Sequence, residues 1–324
     1  MLRRAALALG AAAGEGAVLF DELIVWYLFL GGVGSGTFLM GSVALRALSR
    51  VQGVDRAVIS RIARKMGAPV LVVGLLASAA GATCLLGDLP SLDNAHLLLF
   101  KPTFSAISVG ALTLGCFMAA LVVLAWAASR GVAETPRFAR GARIVAGIAL
   151  VLAVVVMVYT GVLLCLMPSV PLWNTPLLPV LFALSSCATG LGALMIIATV
   201  VFWDEPKFAF PLAFAVRMDT FVVTAEVVVV ALMGAMLCFS SSEAASASLG
   251  ELVSGTYAPM FWIGFVAVGM AAPPAFGLVF SVAPPKTLAP YAIIGACILI
   301  GGLSLRYCMI GAGVHLSAFM FSGL

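Results

Sequence analysis

The chain has 324 residues, of which 63% are hydrophobic and only 9% are charged, and its mean hydropathy is +1.20. An ordinary soluble domain carries about 25% charged residues, and a soluble core of this length could not bury so much apolar surface beneath a charged exterior. The composition therefore excludes a soluble enzyme, a nucleic-acid-binding protein and a disordered tail. It indicates a polytopic membrane protein, whose surroundings are the lipid bilayer.

Apolar runs long enough to cross a membrane follow one another along the chain. A spanning helix needs about 20 mostly apolar residues. Eight such runs are present, at about 23–45, 66–87, 104–128, 142–166, 178–202, 213–238, 258–281 and 288–316. Their apolar residues are continuous and do not alternate with polar ones, which excludes a transmembrane β-barrel. The predicted fold is all-α, with eight transmembrane helices.

These runs form one predicted membrane domain, residues 23–324, preceded by an N-terminal segment, residues 1–22. Within the domain we expect two four-helix bundles, at about 23–166 and 178–316. The first 20 residues have a basic start and a short apolar stretch, as in a weak signal peptide. Because Gly14-Glu15-Gly16 interrupts that stretch, we expect an uncleaved interfacial segment.

The distribution of basic residues predicts the orientation in the membrane, since lysine and arginine are retained on the cytoplasmic side. Thirteen of the 17 basic residues lie in or beside the connections after the first, third, fifth and seventh spans: Arg46, Arg50, Arg56, Arg61, Arg64, Lys65, Arg130, Arg137, Arg140, Arg143, Lys207, Arg217 and Lys286. The other connections hold only Lys101, although Arg3 and Arg4 argue mildly the other way. We therefore expect a multi-pass protein of the bacterial inner membrane, with both termini on the periplasmic side.

Cysteine and histidine spacing argues against a redox metal in this protein. The seven cysteines are scattered singly with no Cys-x-x-Cys pair, so nothing in the sequence predicts an iron–sulfur cluster or a zinc site. Only His96 and His315 could ligate haem, and His96 falls in a predicted loop. The glycine-rich run from Gly31 to Gly36 lies inside a span, where small residues favour close helix packing and not phosphate binding.

Three charged residues fall inside predicted spans, where polar groups are costly and often functional. Asp219 and Glu226 lie two turns apart in the sixth span, and Arg306 lies in the eighth. Glu226 and Arg306 could form a structural ion pair. Alternatively, Asp219 and Glu226 could build a proton path, or all three could form the mid-membrane site of a secondary transporter.

A second polar group gathers at the predicted outer ends of the first four spans. It includes Tyr27, Asp88, His96, Ser108 and Tyr159. An apolar pocket with a few polar anchors is the usual form of a small-molecule site. Tyrosine is also common at membrane surfaces, so the residue types alone leave both interpretations open.

Four segments resemble the NrfD/polysulfide-reductase family of membrane subunits, the quinone-reactive anchors of molybdopterin oxidoreductases and related complexes. The segments are Trp26-Tyr27-Leu28-Phe29-Leu30-Gly31-Gly32-Val33-Gly34-Ser35-Gly36, Leu86-Gly87-Asp88-Leu89 with Phe100-Lys101-Pro102-Thr103 and Ser108-Val109-Gly110, Tyr159-Thr160-Gly161-Val162-Leu163-Leu164 with the loop from Pro171 to Pro179, and Gly301-Gly302 with Leu305-Arg306-Tyr307. They cover the first five spans and the eighth. The third segment is the most specific.

The resemblance implies a division of labour between subunits. Such a subunit holds no haem and no iron–sulfur cluster, and it binds a quinone (menaquinone or ubiquinone) near the outer surface. It exchanges electrons with a docked four-cluster ferredoxin-like iron–sulfur subunit, which in turn serves a catalytic subunit, often a molybdopterin enzyme. A structural anchor that has lost its quinone site is a further alternative.

The resemblance also implies residue roles. Tyr159 would donate a hydrogen bond to the quinone headgroup, and Tyr27 stands where some relatives carry a polar ligand such as histidine. Asp88 would exchange protons, with His96 as an alternative because its pKa suits neutral pH. The remaining residues implied at the site are Gly31, Gly32 and Ser108, beside the quinone, and Trp173 and Asn174, in the loop that would support the iron–sulfur partner.

Overall fold

The computed structural model describes residues 2–50, 56–87, 106–130, 136–205, 209–283, 285 and 287–314, and of residues 2–21, 106–107, 136–138 and 209–211 it describes the backbone alone. These residues form nine helices and no strand: α1 (Leu2–Leu48), α2 (Arg56–Gly87), α3 (Ala106–Ser129), α4 (Pro136–Cys165), α5 (Leu177–Val201), α6 (Ala209–Cys238), α7 (Glu243–Val253), α8 (Met260–Val282) and α9 (Ala289–Gly311). All except the short α7 are long and apolar enough to cross a membrane. The prediction of an all-α fold with eight spans is confirmed.

The helices extend beyond the predicted spans at several ends. α1 begins at Leu2 and α2 at Arg56. The polar residues of Arg56–Lys65 mark the edge of the membrane in the sequence, but arginine, lysine, alanine and isoleucine are all compatible with helix. Hydropathy therefore located the membrane-spanning part and underestimated the length of the helix.

Close contacts at glycine fix the directions of the helices. Leu23 of α1 lies beside Gly87 of α2, whereas Gly41 lies beside Val70, so the two helices are antiparallel. Backbone touches backbone between α1 and α5, where a Cβ on Gly190 would overlap Gly36. Such small residues let spanning helices approach closely.

The helices therefore present two chemically different ends. The basic end is the one that carries Arg46, Arg64 and Arg143, where α1 finishes and α2 and α4 begin. The tyrosine end is the opposite one, which carries Tyr27 and Tyr159. α1, α5 and α9 are the most deeply buried spans, and α2, α6 and α8 present most of their surface outward. The α1–α5 interface joins the first four spans to the last four.

α8 changes its winding along its length. Met260–Ala271 is a π-helix and Ala272–Val282 is an α-helix. Two prolines, Pro273 and Pro274, follow the change. A proline lacks an N–H donor and is tolerated in the first turn of a helix. The prolines thus lie in the first turn of the α-helical part, and the span continues through them without ending.

Candidate functional site

Two buried tyrosines meet at the tyrosine end. Tyr27 on α1 is 3% exposed and Tyr159 on α4 is 9% exposed, and their side chains are hydrogen-bonded to each other. α3 passes so close that a Cβ on Gly110 would overlap the Tyr159 ring. The structure therefore brings together the two tyrosines that the sequence predicted separately, and glycine at position 110 makes room for one of them.

Open space lies beside this pair, at Gly31. Residues four apart lie on the same face of a helix, so Gly31 shares a face with Tyr27. A Cβ on Gly31 would meet no neighbouring atom within 4 Å. The neighbouring Gly32 differs, since its Cβ would lie 2.6 Å from Arg306 Nη2 and 2.6 Å from Ser186 Oγ. Of the two glycines predicted beside a ligand, only Gly31 borders open space, and Gly32 serves helix packing.

The other residues predicted at this end are only partly described. Ser108 is buried on α3, two residues before Gly110. Asp88 and His96, the predicted proton-exchanging residues, lie outside the described residues.

Arg306 is fully buried in α9 and is held by four hydrogen bonds. Its guanidinium donates to the carbonyl of Leu28 (3.1 Å, from Nε), the carbonyl of Gly302 (2.9 Å, from Nη1), Ser185 Oγ (2.9 Å, from Nη1) and Ser186 Oγ (3.0 Å, from Nη2). These contacts tie α9 to α1 and α5. Because Leu28 follows Tyr27 directly, they also fix the backbone from which Tyr27 projects.

The direct ion pair between Arg306 and Glu226 that the sequence suggested is not formed. Among the described residues, no carboxylate oxygen lies within 4.0 Å of the guanidinium. The rings of Phe29 and Phe182 flank it instead, with centroids 5.8 and 5.4 Å from Cζ. Aromatic faces attract a buried cation, so carbonyls, hydroxyls and rings replace the expected acidic partner.

Asp219 and Glu226 are buried in α6 and poorly satisfied. Their exposed fractions are 1% and 4%. Both carboxylate oxygens of Asp219 and Oε1 of Glu226 have no hydrogen-bond partner within the described part of the chain. Buried polar atoms are nearly always paired, and exceptions point to a functional role. These carboxylates are therefore candidates for proton exchange.

A small cavity separates Glu226 from the arginine. It measures about 10 Å³ and is bordered by Glu226, Ser185, Thr189 and Gly302, which is close to the room that one water molecule needs. Ser185 and Gly302 also accept hydrogen bonds from Arg306. Glu226 therefore borders this space directly, whereas the guanidinium is linked to it only through Ser185 and Gly302.

The connection between α4 and α5 is anchored to the end of α9. The Trp173 indole is buried and donates to the carbonyl of Met309 at 2.6 Å. The neighbouring Asn174 is exposed and borders a cavity of about 450 Å³ between this connection and the start of α7. The tyrosine end therefore presents an ordered surface close to the Tyr27–Tyr159 pair.

Sequence reasoning missed the serines that hold the arginine. Ser185 and Ser186 are consecutive hydroxyls inside an otherwise apolar span, and both are buried. That adjacency was the available signal for a buried cation. Within the described ranges, no three His, Cys, Asp or Glu side chains gather as metal ligands would. The donors at the tyrosine end are phenols, which suit a carbonyl oxygen better than a metal ion.

Comparison with known proteins agrees with the family resemblance of the sequence segments. The family model described as "Polysulphide reductase, NrfD" matches residues 12–318. The sequence is 30% identical over 167 residues to the C subunit of the polysulfide reductase of Wolinella succinogenes, an alignment that takes in 50% of this protein and 51% of that subunit. It is 26% identical to the protein NrfD of Escherichia coli, over 91% of this protein and 95% of the relative. A NrfD homolog of Haemophilus influenzae is 24% identical over 79% and 82% of the two proteins. The match thus spans about half the length of the first relative and nearly all of the second.

Proposed function

Since the chain belongs to the polysulphide reductase/NrfD family of membrane proteins, we propose that it is the membrane subunit of a multi-subunit oxidoreductase and binds a quinone or quinol at the tyrosine end. The observation that carries this proposal is the hydrogen-bonded pair of Tyr27 and Tyr159 beside the open space at Gly31. The quinone would be menaquinone or ubiquinone.

The residues at the tyrosine end fit such a ligand. In a pair of hydroxyls, one O–H donates to the other, and the second O–H stays available to a ligand oxygen. Gly31 leaves room for a flat ring one helical turn from Tyr27. Arg306 holds the backbone beside Tyr27 through Leu28, so this side of the tyrosine pair is positioned before a ligand arrives. Preorganised donors of this kind bind without a reorganisation cost.

When bound, a quinone–quinol couple exchanges two electrons and two protons, so its site needs a proton acceptor as well as a hydrogen-bond donor. Tyr159 would orient the headgroup. Asp88, or His96 as the alternative, would take up or release the protons at this end. Asp219, Glu226 and Arg306 would form a proton path across the membrane in complexes that use one.

Electrons must pass to or from a partner subunit, because we propose no redox centre within this protein. The partner would be a four-cluster ferredoxin-like iron–sulfur subunit that serves a molybdopterin catalytic subunit. The connection anchored by Trp173 supports this docking, since it presents the exposed Asn174 on a fixed surface near Tyr159. We further propose that the tyrosine end and both termini lie on the periplasmic side of the bacterial inner membrane, which the distribution of basic residues supports.

The experiment that tests the quinone site is fluorescence quenching of a hydroxyquinoline N-oxide inhibitor by the purified complex. Removing the hydroxyl in Tyr159→Phe should raise the Kd about fivefold to tenfold, which is the loss of one hydrogen bond. Tyr291→Phe is the matched control, because Tyr291 is also buried but packs on Phe280 toward the basic end. An intact wild-type complex that binds no inhibitor would rule out the proposed site.

A second pair of variants separates ligand space from helix packing. Gly31→Val should weaken inhibitor binding and leave thermal stability unchanged, because its side chain enters open space. Gly32→Val should instead prevent assembly, because its side chain would collide with Arg306 and Ser186. Normal inhibitor binding by an assembled Gly31→Val complex would show that the open space is not the ring site.

The carboxylate oxygens of Asp219 and Glu226 that lack a hydrogen-bond partner among the described residues favour a second candidate, a secondary transporter. Substrate uptake by vesicles containing this protein alone, lost in Glu226→Gln and retained in Tyr159→Phe, would support transport over quinone chemistry.

A further inference from the structure

A large apolar cavity lies at the basic end, away from every residue of the proposed quinone site. It measures about 350 Å³ and lies between α1, α2, α3, α4, α5 and α6. Its walls are apolar or small side chains, including Phe38, Leu48, Gly67, Ala128 and Ala146. Its polar side chain, Ser42, donates its hydroxyl hydrogen to the carbonyl of Phe38, so the lining suits a hydrocarbon chain better than a polar ligand.

The extent of the cavity matches one leaflet of a bilayer. Along α1 it runs from Phe38 to Leu48, and ten residues of helix rise about 15 Å. The hydrocarbon core of a membrane is about 30 Å thick, so half of it is the same length. Leu48 is the last residue of α1, at the basic end. The cavity therefore lies in the leaflet on the basic side.

One small residue on its wall, Gly67, is not used for helix packing. A Cβ on Gly67 would meet nothing within 4 Å, in contrast to Gly36 and Gly190, where backbones touch. Glycine in a spanning helix usually permits close approach of another helix. At Gly67, the missing side chain instead leaves open space on the cavity wall.

Arginines lie at the same level along the helices as the cavity wall residues nearest the basic end. Arg46 lies between the wall residues Leu45 and Leu48, and Arg64 lies between Ile62 and Met66. Both side chains are exposed, and neither has an ion-pair partner among the residues that the structure describes.

Arg143 follows the wall residue Ala142 and is likewise exposed. Basic side chains at a membrane surface attract anionic lipid headgroups. The cavity and the arginines together describe a binding site with an apolar interior and a positive rim.

We propose that this cavity binds one acyl chain of an anionic phospholipid, whose headgroup is held by Arg46, Arg64 and Arg143. This inference is independent of the proposed quinone function, because the residues involved lie at the opposite end of the spans. The lipid would fill the space where the first four spans meet α5 and α6, and so would stabilise the α1–α5 interface that joins the two halves.

The test is native mass spectrometry of the full-length protein in detergent, titrated with dioleoylphosphatidylglycerol or dioleoylphosphatidylcholine. The wild type should bind phosphatidylglycerol about fivefold more tightly or better, since each basic side chain near the surface contributes roughly that factor. Gly67→Leu should lose the tight binding event, because the leucine occupies the cavity. Gly147→Leu is the matched control: Gly147 also has open space around it, but it faces outward on α4 and does not border the cavity.

A charge variant gives an independent result if Gly67→Leu fails to assemble. Combining Arg46→Gln, Arg64→Gln and Arg143→Gln changes only exposed side chains, and it should remove the preference for phosphatidylglycerol while phosphatidylcholine binds as before. Equal affinity of the wild type for the two lipids would overturn the proposal. Binding of decylubiquinone that displaces phosphatidylglycerol from the wild type, and that is itself lost in Gly67→Leu, would also overturn it, because the cavity would then hold a quinone tail.

Discussion

Two sets of ionisable side chains are buried in the membrane-spanning part, and they differ in how their polar atoms are satisfied. The Arg306 guanidinium makes four hydrogen bonds to groups on three helices. The carboxylates of Asp219 and Glu226 leave three of their oxygens without a partner in the described part of the chain. A satisfied buried charge rigidifies a structure, whereas an unsatisfied one is costly and is retained for another reason. The difference separates a structural residue from two candidates for proton transfer.

The largest loss of stability should come from removing the hydrogen-bonded guanidinium of Arg306. Arg306→Leu leaves two buried serine hydroxyls and two carbonyls without their donor and opens the contact between α1, α5 and α9. The loss should be on the order of 3 kcal/mol or more, because each unsatisfied buried group costs about 1–3 kcal/mol. We expect a large fall in Tm and in the yield of monodisperse protein.

Arg306→Lys is the control for charge alone. A lysine keeps the cation but lacks the planar array of donors, so it should recover only part of the stability. If Arg306→Leu were as stable as the wild type and lost only turnover, the arginine would be a functional residue and the comparison would fail.

The unsatisfied carboxylates should behave in the opposite way. Glu226→Gln is close to isosteric and removes the possibility of a buried charge, so the Tm should stay within a few degrees of the wild type or rise. Proton movement by the complex in proteoliposomes should fall if the path is used. Asp219→Asn should act in the same sense. If quinone turnover and proton movement are both unchanged in Glu226→Gln, this carboxylate is structural after all.

The fold was largely predictable from the sequence because a spanning helix is specified locally. Each span needs only its own run of apolar residues, and all eight were found. The helix ends were less predictable, as at Arg56, where a helix continues beyond the apolar run. The π-helical winding of Met260–Ala271 occurs where this span packs against α9, with Gly269 touching Gly301, and no periodicity in the sequence encodes that contact.

The parts of the candidate site that belong to sequence motifs could be predicted. The contacts between residues far apart in the sequence could not. Tyr27 and Tyr159 belong to recognisable segments, and the structure pairs them. The partners of Arg306 lie about 120 residues away in α5. An acidic residue is the obvious partner on charge grounds, so the sequence suggests Glu226. Only the close approach of α5 and α9 brings those hydroxyls to the guanidinium.

A third carboxylate, Glu205 in the α5–α6 connection, completes the comparison at the basic end. It accepts hydrogen bonds from Lys65 Nζ at 2.6 Å and from Arg61 Nη2 at 2.9 Å, which ties this connection to α2. The hydrogen bond from Lys65, followed by the charges of Arg61 and Lys65, lowers the pKa of Glu205. A lowered pKa in the folded state stabilises the protein at pH values above the ordinary glutamate pKa of about 4.3, and this contribution is lost as the pH falls through the folded-state value.

Of the three substitutions, Arg306→Leu, Glu226→Gln and Glu205→Gln, the last should therefore have the smallest effect on the protein. The ion pair is solvent-exposed, and exposed pairs contribute little and are screened by salt. The Tm of the variant should lie slightly below that of the wild type at neutral pH and low salt, and the difference should shrink in high salt and below about pH 4. Asp204→Asn is the control, because Asp204 is an exposed neighbour without an ion pair among the described residues. A Tm loss as large as that of Arg306→Leu would mean that the connection between α2 and the α5–α6 turn, and not the buried arginine, dominates the stability of the helix assembly.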